Sequence, residues 1–357
     1  MAVRHGLFTS ESVSGGHSDK LCDRLSEAIL DEFLKRDPNT PGACEAPSMV
    51  RRVLTEIGYR DSDQDISPAG ADVDVRFNHQ SRQTASAVDG GESLGAGDQG
   101  LMFGYSARET DALAPLSWTL ANELIASATS VTQDADAPLR ADGKSQVTVR
   151  YQEGRSLAVQ SVVLSWQHSN RLSLKEVRGV LQQAMVDRVV PPSLRTEDLH
   201  CYLNPAGAWT IGGPNGDTGL AGRKISVDTY GGSCPHGEDP SEVDRSAAYV
   251  ARSVAKNVVA AELAERCALQ VAYAIGVAEP ISISVGLHGS GNTSEDAVER
   301  TIRQMFDLTP SGIIRDLDLL PIHAQMSSLG HFGRFRDPAV VRQEATDRVD
   351  ALRDTLR

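Results

Sequence analysis

The sequence predicts an α+β fold, and three observations carry that prediction. Strand-like and helix-like runs alternate along the 357 residues. Strand pairs followed by a helix recur roughly three times, which points to three similar units. No apolar run approaches the ~20 residues of a membrane span. At roughly 150 residues per domain, the length allows two or three domains with ample core.

The elements follow from local pattern. Ser18 to Arg36 reads as a helix, with Leu21, Leu25, Ala28, Ile29 and Phe33 on one face and Asp37-Pro38 as its end. Residues 38 to 50 are loop-like, and a helix runs near Val50 to Gly58. Residues 59 to 100 are irregular, with a short strand expected at Asp72 to Phe77 and a mobile loop between Ser81 and Gly97. Gln146 to Tyr151 and Leu157 to Trp166 alternate as strands, joined by a turn at Glu153-Gly154. Leu174 to Val189 is helical by spacing. Trp209 to Gly222 is a glycine-rich loop, and Lys224 to Tyr230 reads as a strand. Ser241 to Arg266 reads as a long helix, opened by Ser241 and Asp244 as a capping box. Strands are expected at Leu269 to Ile275 and Ile281 to His288, and helices at Thr293 to Phe306 and Pro338 to Leu356.

Composition excludes several functions. The net charge of -13 argues against a nucleic-acid or anionic-membrane partner. The five cysteines are far apart and form no C-x-x-C pair, which fits a reducing cytoplasm rather than a disulfide or zinc scaffold. The N-terminus lacks an apolar segment of the secretory kind. The nine histidines are scattered, and no H-E-x-x-H, G-x-S-x-G or EF-hand loop occurs.

Four clusters can carry chemistry. Glu11 to Lys20, ESVSGGHSDK, places two glycines before a helix that opens with His17 and Asp19. Free N–H groups there suit an anion, Asp19 suits a hard cation, and His17 can donate to a leaving oxygen. The same residues also suit a plain turn capped by Ser18 and Asp19. Gly95 to Gly100, GAGDQG, matches G-x-G-x-x-G in form, but loop precedes it and a strand follows, so a dinucleotide site is rejected. Asp98 there can grip an ammonium group or simply close a turn. Gly212 to Lys224 is not a Walker A motif, yet its five glycines, Asp217, Arg223 and Lys224 suit a polyphosphate–metal site. Asp244 is either a capping residue or a metal carboxylate.

Taken together, SESVSGGHSDK, GAGDQGLMFGY, DGKSQVTVRY, IGGPNGDTGLAGRKISVDTYGG, VDRSAAYVARSVAKNVVAAELAERCALQVAYAIGVAEP and GHFGR resemble the S-adenosylmethionine synthetase (methionine adenosyltransferase) family. The resemblance runs from about Phe8 to Arg334. It implies three similar α+β domains in pseudo-threefold arrangement, expected at residues 1–90, 91–211 and 212–357. It also implies a homodimer or homotetramer with sites at the subunit interface. The implied substrates are ATP and methionine or a related thioether amino acid; the implied cofactors are two Mg2+ per site and K+. The implied roles are His17 at the leaving oxygen, Lys144, Arg223 and Lys224 as phosphate cations, and Asp217 as an ATP-site carboxylate. Glu11, Trp209 and Ile275 would line the ATP pocket, and Asp98 would hold the methionine amino group. Asp19 and Asp244 would bind magnesium, and Glu45 potassium.

Departures from the family pattern accompany these matches. A strand hairpin usual after Ala43-Cys44-Glu45 is missing, and with it a glutamate near methionine. Ser86 stands for a glutamine and Ser18 for a proline. Glu238 and Glu242 stand where lysines flank Asp-Pro-Ser, beside a lost glycine-rich insertion. One charge pair at 4 Å is worth about 4 kcal/mol at an effective dielectric of 20, and each ~1.4 kcal/mol is tenfold in rate. Besides S-adenosylmethionine synthesis, three readings therefore stay open: a paralogue with another acceptor, a non-catalytic nucleotide-binding subunit, and a tripolyphosphate hydrolase.

Overall fold

The computed structural model describes residues 5–35, 45–60, 66–76, 94–132, 137–234, 243–319, 327, 329–333 and 342–356, and for Leu34, Thr129, Ser130, Val243 and Asp244 the backbone alone. Among these residues the fold is α+β, with two sheets. The first sheet has the order β1 (His5–Val13), β3 (Leu139–Gln152), β4 (Arg155–His168), β5 (Arg195–Leu203). Its pairs are antiparallel except β4–β5, which is parallel. The second sheet has β2 (Gly100–Ala107), β6 (Arg266–Tyr273) and β7 (Ser282–Gly286), all antiparallel. Both sheets therefore unite strands from distant parts of the chain.

The β3–β4 hairpin is the one expected, and its turn places both Glu153 and Gly154 at positive φ. β1 was not expected, because Ser10 and Ser12 interrupt its buried positions between Phe8 and Val13. They bond to Ser117 and Asn122 of α3 (Leu116–Ser127). α3 lies on β1 and β3 and is buried nearly all round, so it shows no amphipathic period.

α1 (Ser18–Leu34) and α2 (Ala46–Ile57) pack on each other around a small core that includes Leu21, Met49, Val53 and Leu54. α2 begins earlier than its periodicity indicates. α4 (Leu174–Leu181) opens with a capping box at Ser173 and continues through a π-turn to Val189. α5 (Val243–Ala260) lies on β2 and β6 and fills the larger core. Beyond β7, α6 (Glu295–Met305), α7 (Pro310–Leu317) and α8 (Val349–Leu356) complete the layer.

Four expectations are corrected. Residues 72–76 form no strand. Lys224 to Tyr230 is a single helical turn, Ile225–Asp228, because Asp228 is drawn inward to Lys20. The long helix stops at Ala260, where Glu262 takes a positive φ and the chain turns into β6 at Arg266. The last helix starts at Val349, since residues 342–348 are turns. The loop from Ser81 to Ser93, the Ser241 capping box, Ser86, Glu238 and Glu242 lie outside the described residues, as do Asp37-Pro38 and Cys44.

Candidate functional site

The site is built where the start of α1 meets the loop 211–224. His17 caps α1, its Nδ1 accepting the Asp19 N–H at 3.2 Å. In the neutral ring the proton then sits on Nε2. Burial, reinforced by the Lys144 and Lys224 charges, pulls the imidazole pKa down to about 4. His17 is therefore an uncharged hydrogen-bond donor at neutral pH.

Asp19 is 3% exposed and tethers the loop. It accepts from the Leu220 N–H and from Lys224, and Arg223 stands 3.6 Å away. Burial opposes its charge; the Lys224 and Leu220 hydrogen bonds outweigh this and hold the carboxyl below its ordinary range. The neighbouring Asp23 accepts the Gly222 N–H. The loop lies so close that a Cβ on Gly219 would come within 2.1 Å of the Ser18 carbonyl oxygen. Gly213 is at φ +56, with the Tyr59 hydroxyl where its Cβ would be.

Lys20 supports this arrangement from below. Its ammonium is wholly buried and bonds Asp228 at 2.5 Å, with Asp23 at 3.0 Å. Burial opposes the charge, but Asp228 and Asp23 prevail and raise its pKa. His331 completes the contact, 3.7 Å from Asp228.

From the other side comes β3. Lys144 is exposed and charges the space beside His17, and Glu11 shares this open sheet face. Asp217 faces the same space and accepts the Thr218 N–H at 2.8 Å. Asp142 is a residue that sequence reasoning quoted but gave no role. Burial pushes its carboxyl up to about 6 despite the Gly213 N–H that it accepts at 2.7 Å. Its Oδ1 is buried without a hydrogen-bond partner among the described residues. The signal was its place two residues before Lys144.

Thus His17, Asp19, Lys144, Asp217, Arg223 and Lys224 converge. Trp209 stands at the start of the loop, half-buried, its indole N–H donating to the Ile211 carbonyl at 2.7 Å. Asp98 and Ile275 form a separate pair of segments, joined by the Ala96–Ile275 bridge, with both side chains exposed. No hydrogen bond or ion pair among the described residues links them to the His17 cluster. Glu45 is remote as well, exposed at the start of α2 and accepting from Ser48. For Asp244 only the backbone, in the first turn of α5, is described.

Three domain models match the chain in order. They are S-adenosylmethionine synthetase, N-terminal domain, over residues 5–48; central domain, over 93–209; and C-terminal domain, over 211–340. The chain belongs to the S-adenosylmethionine synthetase family. It is similar to the S-adenosylmethionine synthase of Nitratiruptor sp., 44% identical over 99% of each chain. It is also similar to that of Wolinella succinogenes, 43% identical over 98% of this chain and 97% of the relative. That of Sulfurovum sp. is 44% identical over 98% of each. The Nitratiruptor alignment runs to 386 positions against 357 residues, so the relative carries residues that this chain lacks.

Enzymes of this family are generally metal-dependent. Asp19 offers the hard carboxylate oxygen that magnesium takes together with substrate phosphates, so it fits such an ion. Around Glu45 the described residues include Glu32, Ser48 and Arg52. The arginine and the open setting do not make a potassium cage. Among the described residues no group of three or more His, Cys, Asp or Glu forms a metal cluster, and no helix is long and apolar enough to cross a membrane.

Proposed function

We propose that the protein is an ATP-dependent methionine adenosyltransferase, forming S-adenosylmethionine with release of pyrophosphate and phosphate. The observation that carries this is His17 at the start of α1, its Nδ1 taken by the Asp19 N–H so that Nε2 carries the proton, set among Lys144, Arg223 and Lys224. A thioether sulfur has no proton to lose, so the reaction needs no base at the nucleophile. The sulfur attacks C5′ of ATP, the C5′–O bond breaks, and its electrons leave with the triphosphate. Negative charge therefore grows on the departing oxygen. The His17 Nε2–H donates there, and the three cations and the α1 N-terminus face the polyanion. Preorganised donors of this kind supply the largest share of such a rate enhancement. Water then cleaves the triphosphate.

Magnesium, when bound, would neutralise phosphate charge and would be held by Asp19 with Asp244. Potassium is assigned to Glu45 by resemblance alone, and no step rests on it. Asp98 would take the methionine ammonium, and Trp209 and Ile275 the adenine ring, with Glu11 at the pocket edge. A homodimer or homotetramer is the proposed arrangement, in which Asp98 and Ile275 of one subunit meet the His17 cluster of another. The three segments 1–90, 91–211 and 212–357 are the proposed domains, and the cytoplasm is the proposed location.

Mass spectrometry of products from the purified chain with ATP, methionine, magnesium and potassium tests the reading. S-adenosylmethionine with pyrophosphate and phosphate is the expected result. ATP binding without that product refutes it, and tripolyphosphate hydrolysis alone marks a hydrolase.

A further inference from the structure

His168 is the last residue of β4 and is 1% exposed. It holds Trp209 at both backbone polar groups. Its own backbone N–H donates to the Trp209 carbonyl at 2.9 Å, and the Trp209 N–H donates to its ring Nε2 at 3.0 Å. Its Nδ1 lies 3.0 Å from the Ser169 carbonyl oxygen. A carbonyl oxygen only accepts and a backbone N–H only donates. The ring is therefore neutral, with its proton on Nδ1 and a lone pair on Nε2. His17 is held in the opposite tautomer.

The neighbours of His168 hold the same stretch of chain. Gln167 donates to the Thr210 carbonyl at 3.2 Å. The Asn204 amide accepts from the Trp166 N–H at 2.8 Å and donates to the Trp166 carbonyl at 3.0 Å. The end of β4 thus fixes residues 204–210 just before the glycine-rich loop. Trp209 is half-buried, and its one polar side-chain group, the indole N–H, is spent on the Ile211 carbonyl at 2.7 Å. A ring held in this way offers a ligand its face alone. Stacking on that face depends on where the ring stands, and the ring stands where its backbone is fixed.

We infer that His168, as the neutral Nδ1–H tautomer, is a positioning residue for the nucleobase: it sets the Trp209 ring as the platform on which the base stacks. This role rests on the stacking of adenine on Trp209 proposed above. It divides the ATP site into two separately held parts. The base is placed from the end of β4, and the triphosphate from the start of α1. The hydrogen bonds of His168 to Trp209 and Ser169 involve none of Lys144, Arg223 and Lys224. Loss of the His168 acceptor therefore weakens recognition of the base and spares that of the polyphosphate.

The test compares His168→Asn with His168→Gln in the full chain. A glutamine amide reaches the place of Nε2 and still accepts the Trp209 N–H. An asparagine amide ends near Nδ1 and does not. Calorimetry with magnesium gives Kd for a non-hydrolysable ATP analogue and for inorganic tripolyphosphate. His168→Asn should weaken the analogue at least tenfold and leave tripolyphosphate within twofold. His168→Gln should stay within threefold of the unsubstituted protein for both. Equal losses for the two ligands, equal losses in the two variants, or no loss in His168→Asn overturns the role. Trp209→Ala tests the platform itself. Unchanged analogue binding there refutes stacking on Trp209, whereas a loss there with none in His168→Asn refutes the positioning role alone. The unsubstituted protein supplies a check that needs no variant. Its imidazole 15N shifts should show His168 protonated at Nδ1, and its Trp209 amide should exchange slowly. An Nε2–H tautomer or a fast-exchanging Trp209 amide overturns the inference.

Discussion

The two ends of α1 are held in different ways. At its start, His17, Asp19, Lys20 and Asp23 are all buried, and Asp19, Lys20 and Asp23 bond to groups about 200 residues away in sequence, on the 219–228 segment. Toward its end, Phe33 is 46% exposed, and the described apolar support is the thin layer shared with α2. The chemical end is fixed by directional polar contacts, which set positions within a fraction of an ångström. Toward the other end the described support is apolar packing against α2, with the Glu27–Arg245 ion pair midway along the helix.

The contrast can be broken by mutation. Lys20→Met strands the buried Asp228 and Asp23 carboxylates and should cost about 3–5 kcal/mol of stability, read from denaturant unfolding. A loss near zero would mean that the polar network does not hold this end. Leu54→Ala, in the α1–α2 core, should cost about 2–4 kcal/mol yet leave kcat within severalfold. A collapse of kcat there would erase the distinction between the two ends. Lys144 is exposed, so Lys144→Ala should lower turnover about 100-fold with the unfolding midpoint unmoved. Unchanged turnover would remove it from the site.

A titration sharpens the same contrast. The folded pKa of His17 is below its unfolded value of about 6.5, so its neutral form is favoured by folding. Its contribution to stability is present above about 6.5 and is lost as pH falls toward about 4. Its ring resonances should titrate near 4 by NMR, and a midpoint near 6.5 would refute a neutral donor set among cations. The smallest effect is expected at Phe33→Ser, within about 0.5 kcal/mol.

Much of the candidate site was legible in the sequence because its residues lie in short glycine-rich runs. His17, Asp19, Asp217, Arg223 and Lys224 could be grouped from these runs and from the family resemblance. The hairpin β3–β4 was legible from strict alternation. What escaped was structure set by tertiary polar contacts. β1 turns serines inward, so no hydrophobic period marks it. The turn at Ile225–Asp228 mimics strand alternation, and only the buried Lys20 explains its shape. α3 buries polar Ser117 and Asn122 beside its apolar residues, so no amphipathic period marks it. The role of Asp142 needed the Gly213 N–H, which lies 71 residues away.

The pairing of β1 with β3 has a consequence for synthesis of the chain. His5 to Val13 emerges from the ribosome well before its partners Lys144 to Gln152, which come more than 130 residues later. The Asp19 and Lys20 contacts must wait for residues 220 to 228, and Asp228 for His331. At about 5–20 residues per second, β1 spends about 7–30 seconds without its partner strand. Such long-range closure also slows folding once the chain is complete. The strand that leads into the proposed site is thus made well before the strand it pairs with.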